Sequence, residues 1–181
     1  MRTDFGEAEE VEAIVDTVCR MIDSGRYERF AVEARRGTPV ALRDQFDAAQ
    51  GHVDSGLRRA AAMLSARGQL DSVSAAPRWV LRLVLRSTAT WLLGAGSTCP
   101  HDPSPERPQP VVTAAWRPDL ITCARCTHLL ALVPGSAADR TCDSCSRVTS
   151  GLRDDGVFPG AFALGPVQLM LGVCRDCRWT T

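Results

Sequence analysis

The chain has no lysine and no asparagine, and it carries a single tyrosine. Its cations, histidine aside, are all arginine, and alanine is abundant. That bias is expected of a GC-rich genome before it is expected of any chemistry. Net charge is also lacking: 21 arginines balance 21 acids. Each half is balanced on its own, with 13 of each sign in residues 1–96 and 8 of each in residues 97–181. Long apolar runs are missing too. The longest, Trp79–Leu85 and Trp91–Ala95, are far short of the ~20 residues a membrane helix needs. The opening Met1-Arg-Thr-Asp-Phe-Gly-Glu leads into acids rather than an apolar stretch, which is not the pattern of a secretory leader. A cytoplasmic protein is the expectation. Gly-rich phosphate loops, His-Glu-x-x-His and Gly-x-Ser-x-Gly do not occur, so none of the usual patterns nominates a catalytic residue.

Cysteine is what the chain has in quantity. Seven of its eight cysteines fall in short pairs: Cys99 with His101, Cys123 with Cys126, Cys142 with Cys145, and Cys174 with Cys177. In Cys-x-x-Cys the backbone turns tightly, so both sulfurs reach one ion at ~2.3 Å while turn amides donate to them. Two such corners complete a tetrahedron. Cys99-Pro-His101 is one residue tighter, and the longer imidazole compensates. Eight ligands suffice for two closed zinc sites, so Zn2+ at two per chain is the expected cofactor. In a reducing cytosol this spacing favours metal over disulfides. A thioredoxin-like use would need a βαβ context, and iron–sulfur ligation would need more closely spaced runs.

Spacing leaves the pairing open. A sequential order joins Cys99, His101, Cys123 and Cys126, then Cys142, Cys145, Cys174 and Cys177. A nested order joins the two middle pairs and sends Cys99 and His101 to Cys174 and Cys177. A cross-braced order is the third. Loop entropy separates them weakly, since doubling a loop costs only ~0.6 kcal/mol. The sequential order is preferred, because Val111–Thr122 and Ala161–Val173 can each return the chain from one corner to the next. His101 is preferred to His128 because it completes the first pair. Cys19 falls at the edge of an apolar helix face and reads as a small core residue. His52 reads as an ordinary residue of the helical half.

Around these pairs the two halves follow different periodicities. Val11, Ile14, Val15, Val18 and Ile22 recur at helical spacing, and Gly25 closes that helix. Residues 26–36 predict a second short helix ending at Gly37. Thr38-Pro39 opens a third that runs to about Arg67, with Phe46, Ala49, Val53 and Leu57 on one side. Gly51 and Gly56 make a kink there plausible. A fourth spans Pro77 to Leu93 and is apolar nearly all round, which predicts a buried central helix. Its one polar stripe, Arg78, Arg82 and Arg86, suits ion pairs with neighbouring acids better than phosphate binding. After Gly94 the helical period stops. Five prolines make residues 100–110 a non-helical connector. Short β-like runs follow at Val111–Trp116, Leu120–Thr122, Leu129–Val133, and Ala161–Val173 broken at Gly165-Pro166. The expected class is α+β: a helical domain over residues 1–96, then a small β-rich domain with two zinc sites over residues 97–181.

The segment Cys99–Trp179 resembles zinc-ribbon and zinc-finger structural modules, through Cys99-Pro-His101, Cys123-Ala-Arg-Cys126, Cys142-Asp-Ser-Cys145 and Cys174-Arg-Asp-Cys177. Thr127, Ser146 and Arg178 stand where such knuckles usually carry glycine. The resemblance implies closed structural sites and contacts with protein or nucleic acid. Loaded with zinc, the C-terminal half would carry a charge of about −3, which weakens a nucleic-acid reading. The leading expectation is a non-catalytic adaptor or regulator that works through another protein. Trp116, Phe158, Phe162 and Trp179 are its candidate interface aromatics, with core packing at least as well supported for each. The alternatives are a nucleic-acid-binding regulator, using Arg78, Arg82, Arg86, Arg125, Arg175 and Arg178, and a metalloenzyme with an open zinc position. Chelation is expected to unfold the C-terminal half and spare most of the helical signal.

Overall fold

The computed structural model describes residues 4–63, 76–152 and 155–178. Among the described residues four α-helices precede a five-stranded sheet, giving the α+β class. The helices are α1 (Asp4–Asp23), α2 (Tyr27–Gly37), α3 (Val40–Met63) and α4 (Arg78–Leu93). α3 is one continuous helix through Gly51 and Gly56, so neither glycine breaks it. Its expected run to Arg67 falls outside the described residues, as does Trp179. No helix among the described residues is long and apolar enough to cross a membrane.

α4 holds the layers together. Val80 and Val84, four residues apart, form one ridge. They pack with Leu169, Leu171 and Val173 of the sheet and with Cys142 and Cys174. Leu81, Leu85 and Ala89 form the adjacent ridge and pack on Val11, Val15 and Cys19 of α1. Cys19 is thus a core residue. The helix is buried on these two faces rather than all round, since Leu92 and Leu93 are exposed. The arginine stripe is spent on acids. Arg78 pairs with Asp23, Arg82 with Asp16 at 2.7 Å and Glu12 at 3.2 Å, and Arg86 with Glu12 and Asp119. Those bonds pull the Asp16 and Asp23 carboxyls below their ordinary range.

α4 ends at Gly94, which takes the left-handed conformation at φ 62°. The Gly94 amide donates to the Trp91 carbonyl and the Ala95 amide to the Thr90 carbonyl, a paired C-cap that glycine permits. Two residues on, Gly96 passes so close to the strand β3 (Arg117–Cys123) that a Cβ would lie 2.8 Å from the Asp119 carbonyl oxygen. That approach lets the short strand β1 (Ser97–Thr98) join the sheet directly from the helix.

The strands β2 (Val111–Ala114), β3 (Arg117–Cys123), β4 (Val157–Leu164) and β5 (Val167–Cys174) complete the sheet, in the order β1-β3-β2-β5-β4. β2–β3 and β4–β5 are antiparallel hairpins, and β2 joins the two through a parallel pairing with β5. Alternation sorts the side chains. Val111, Ile121 and Val167 face Trp91 of α4, while Val112 and Ala114 face Leu130.

Four strand limits differ from expectation. β3 spans Arg117–Cys123, starting three residues before the expected Leu120. Leu129–Val133 is not a strand. A 3₁₀ segment runs over Ala124–Leu130, because Leu130 is drawn under Val112 and its carbonyl accepts the Trp116 indole N–H at 2.9 Å. β2 stops at Ala114, since Ala115 and Trp116 form the hairpin turn. β4 begins at Val157, four residues before the first expected position, and pairs along its whole length with β5.

Candidate metal centres

The ligand pairs converge in sequential order. Cys99, His101, Cys123 and Cys126 form one cluster, and Cys142, Cys145, Cys174 and Cys177 form the other. Within each, the four ligand atoms lie within 4.8 Å of one another. His128 is exposed and lies outside both groups. His52 is exposed on α3.

Backbone pairing builds both sites on one plan. In the first, the Cys99 amide donates to the Ile121 carbonyl, which seats this corner beside the end of β3. The Cys123 amide then donates to Cys99 Sγ at 3.4 Å. In the second, Asp143 exchanges bonds with Gly172 of β5: its amide donates to the Gly172 carbonyl and its carboxylate accepts the Gly172 N–H. The Cys174 amide donates to Cys142 Sγ at 3.3 Å. Cys123 and Cys174 have nearly the same backbone conformation, with φ −73° and −71°.

The register places the sites at opposite ends of the sheet. Val111 pairs with both Cys123 and Val167, so the first site lies level with the start of β5. Cys174 lies seven residues further along that strand, ~23 Å away at ~3.3 Å per residue.

The donor geometry fits a tetrahedral ion. Bonds of ~2.3 Å to sulfur and ~2.0 Å to nitrogen imply edges of roughly 3.8 Å between sulfurs and roughly 3.5 Å between sulfur and nitrogen. Cys145 Sγ lies 3.8 Å from Cys174 Sγ. His101 Nδ1 lies 3.1 Å from Cys126 Sγ and 3.7 Å from Cys123 Sγ. A disulfide would need sulfurs at ~2.05 Å, and all eight cysteines are free.

Proton affinities divide within each cluster. Burial pushes the Cys99 thiol up, but hydrogen bonds from Cys123 and His101 outweigh it and leave it at about 7. Burial also opposes ionisation of Cys142, and amides of Cys174, Cys145 and Ser144 bring it to about 7. Burial and the neighbouring sulfurs Cys123 and Cys99 push Cys126 up to about 11. At Cys177 a hydrogen bond with Ser144 favours the thiolate, but Cys145 and Cys174 overcome it and raise the thiol to about 12. In each cluster one thiol is thus held low and another high. A bound cation would favour the thiolate at the raised positions, Cys126 and Cys177.

Sequence reasoning missed the residues that support the sites. Asp143 locks the third corner onto β5, and Arg147 bridges Asp155 and Asp176 beside the second cluster. Neither position carries a signal before the fold is known. Ser146 is the informative case: it adopts φ 60°, the conformation for which knuckles use glycine. Thr127 is absent from the positive-φ residues, and Arg178 has φ −72°, so glycine is not needed at those positions.

The fold and its clusters define an α+β protein with two four-ligand, cysteine-rich groups positioned to hold metal ions. No family model, curated protein or solved structure matches the chain.

Proposed function

We propose that this is a non-catalytic protein with two structural zinc ions on zinc-ribbon-like hairpins, acting as an adaptor or regulator through contacts with another protein. The observation that carries the reading is closure: each cluster supplies four protein ligands, with spacings that suit zinc. Catalytic zinc keeps one position for water or substrate. When bound, zinc would supply cross-linking and charge neutralisation. Cys99, His101, Cys123 and Cys126 would hold one ion, and Cys142, Cys145, Cys174 and Cys177 the other.

The protein-contact part of the reading is supported by what the surface offers. Val133, in the connection between the two clusters, is 73% exposed, and Val148 and Leu152, in the loop after Cys145, are 55% and 70% exposed. The nucleic-acid alternative loses its main basic element, because Arg78, Arg82 and Arg86 are engaged by acids. Arg178 lies over the Phe158 ring, 5.2 Å from its centre. Trp116 and Phe162 are half-buried and pack within the chain.

Metal analysis and cobalt substitution test the reading together. The expected result is about two zinc per chain, and tetrahedral cobalt spectra with thiolate charge transfer and no coordinated water. A water-coordinated cobalt would move the protein to the metalloenzyme class. Retention on DNA or RNA at low salt, lost as salt rises, would move it to the nucleic-acid class.

A further inference from the structure

An apolar cleft of about 680 Å³ opens among all four helices and the β4–β5 turn, away from both metal clusters. Tyr27, Phe30, Phe46, Trp91 and Phe162 contribute five aromatic rings to its walls. Its size falls within the ~300–1,000 Å³ typical of small-molecule sites.

Two features make it more than a packing gap. α2 has no buried residue, although Tyr27 and Phe30 point its apolar side at the cleft. Phe30 stays 44% exposed, so the helix gains little from the chain's own core. The second feature is charge. Among the described residues Asp54 is the one charged residue in the lining. It is half-buried on α3 and makes no hydrogen bond or ion pair among the described residues. Arg58, one helical turn further on, bonds Ser55 and forms no ion pair with Asp54. A carboxylate beside aromatic faces selects for positive charge twice, by ion pairing and by attraction to the ring faces.

We propose that this cleft binds a small aromatic molecule bearing an ammonium or amidinium group, its rings among the aromatic walls and its cation on Asp54. The site is independent of the zinc reading, and its test uses the full metal-loaded chain.

Three isosteric probes separate the contributions: 2-naphthylmethylammonium, neutral 2-naphthylmethanol and anionic 2-naphthoate, titrated by calorimetry. The cation should bind one per chain, at least about tenfold more tightly than the alcohol, with the carboxylate weakest. Asp54→Asn breaks no hydrogen bond or ion pair among the described residues and should reduce the cation to the alcohol's affinity. Ala161→Phe adds bulk at an exposed β4 position that lines the cleft and should abolish binding of all three. Carboxylate binding equal to the cation's, or cation binding that survives Ala161→Phe, would overturn the proposal. So would failure of every probe below about 1 mM. Sedimentation supplies the remaining outcome: a dimer that Ala161→Phe dissolves would show the cleft to be a self-association surface and sink the small-molecule reading.

Discussion

Each cysteine pair carries a distinct share of the metal reading. Cys123→Ser should halve the zinc content, from about two ions to about one, with the second cluster intact; mass spectrometry under native conditions reads this directly. His101→Ala should weaken the same site, whereas His128→Ala should leave metal content unchanged because His128 lies outside the cluster. Ser146→Gly is expected to stabilise the loaded protein by about 0.5–1 kcal/mol, since it removes a side chain from a left-handed conformation. Thermal unfolding in the presence of zinc measures it. The ligands were legible in the sequence because their spacing is a local constraint. Asp143, Arg147 and the strain at Ser146 were not, because each depends on a strand or loop many residues away.

Elements were legible where one periodicity dominated. α1 and α2 end within two residues of Gly25 and Gly37, and α4 spans Arg78–Leu93 where Pro77 to Leu93 is expected. Leu129–Val133 misled because a short apolar run has the same composition in a strand as in a 3₁₀ turn drawn under a sheet. β4 was clipped because Val157–Gly160 includes a proline and a glycine, which weigh against strand, whereas its whole-length pairing with β5 compensates. Gly96 is the most sensitive backbone position between layers. Gly96→Ala would press a methyl against a carbonyl oxygen that has little room to move. A loss of about 1–3 kcal/mol in denaturant unfolding is expected. The seam between α1 and α4 gives a pH signature. Arg82 and Arg78 lower the Asp16 and Asp23 carboxyls, so the native state favours their ionised forms. Their contribution is present above the ordinary value of 3.8 and is lost as pH falls through the lower native values. Acid titration of helical circular dichroism should show this loss, and an Asp16→Asn, Asp23→Asn double variant should flatten it. The partners are exposed, so added salt should shrink the effect.

At the scale of the whole molecule, helices and sheet share one core through α4. Val80 and Val84 pack with Cys142 and Cys174, residues of a metal cluster. Chelation should therefore do more than melt the sheet. The expected outcome is loss of strand signal, partial loss of helix signal from α4, and a red shift in tryptophan emission as Trp91 loses its buried hydrogen bond to the Pro103 carbonyl. Unchanged tryptophan emission after complete zinc removal would show that α4 is held without the sheet. The periodicity change at Gly94 marks a change of secondary structure, and packing runs straight across it through α4, whose nearly all-round apolar surface places it against the C-terminal half in the sequence reading as well.

Strands ordinarily fray from their free tips inward. Here the Ala115-Trp116 turn closes one tip of the β2–β3 hairpin, and the first group of ligands, positioned to hold an ion, lies at the other. Gly165-Pro166 and the second cluster do the same for β4–β5, in the opposite direction. With ions in place the ladder has no loose tip at which opening begins. Amide exchange in these four strands should then be slow at the clasped ends as well as at mid-strand, and removing one ion should open a single end while the far one stays shut.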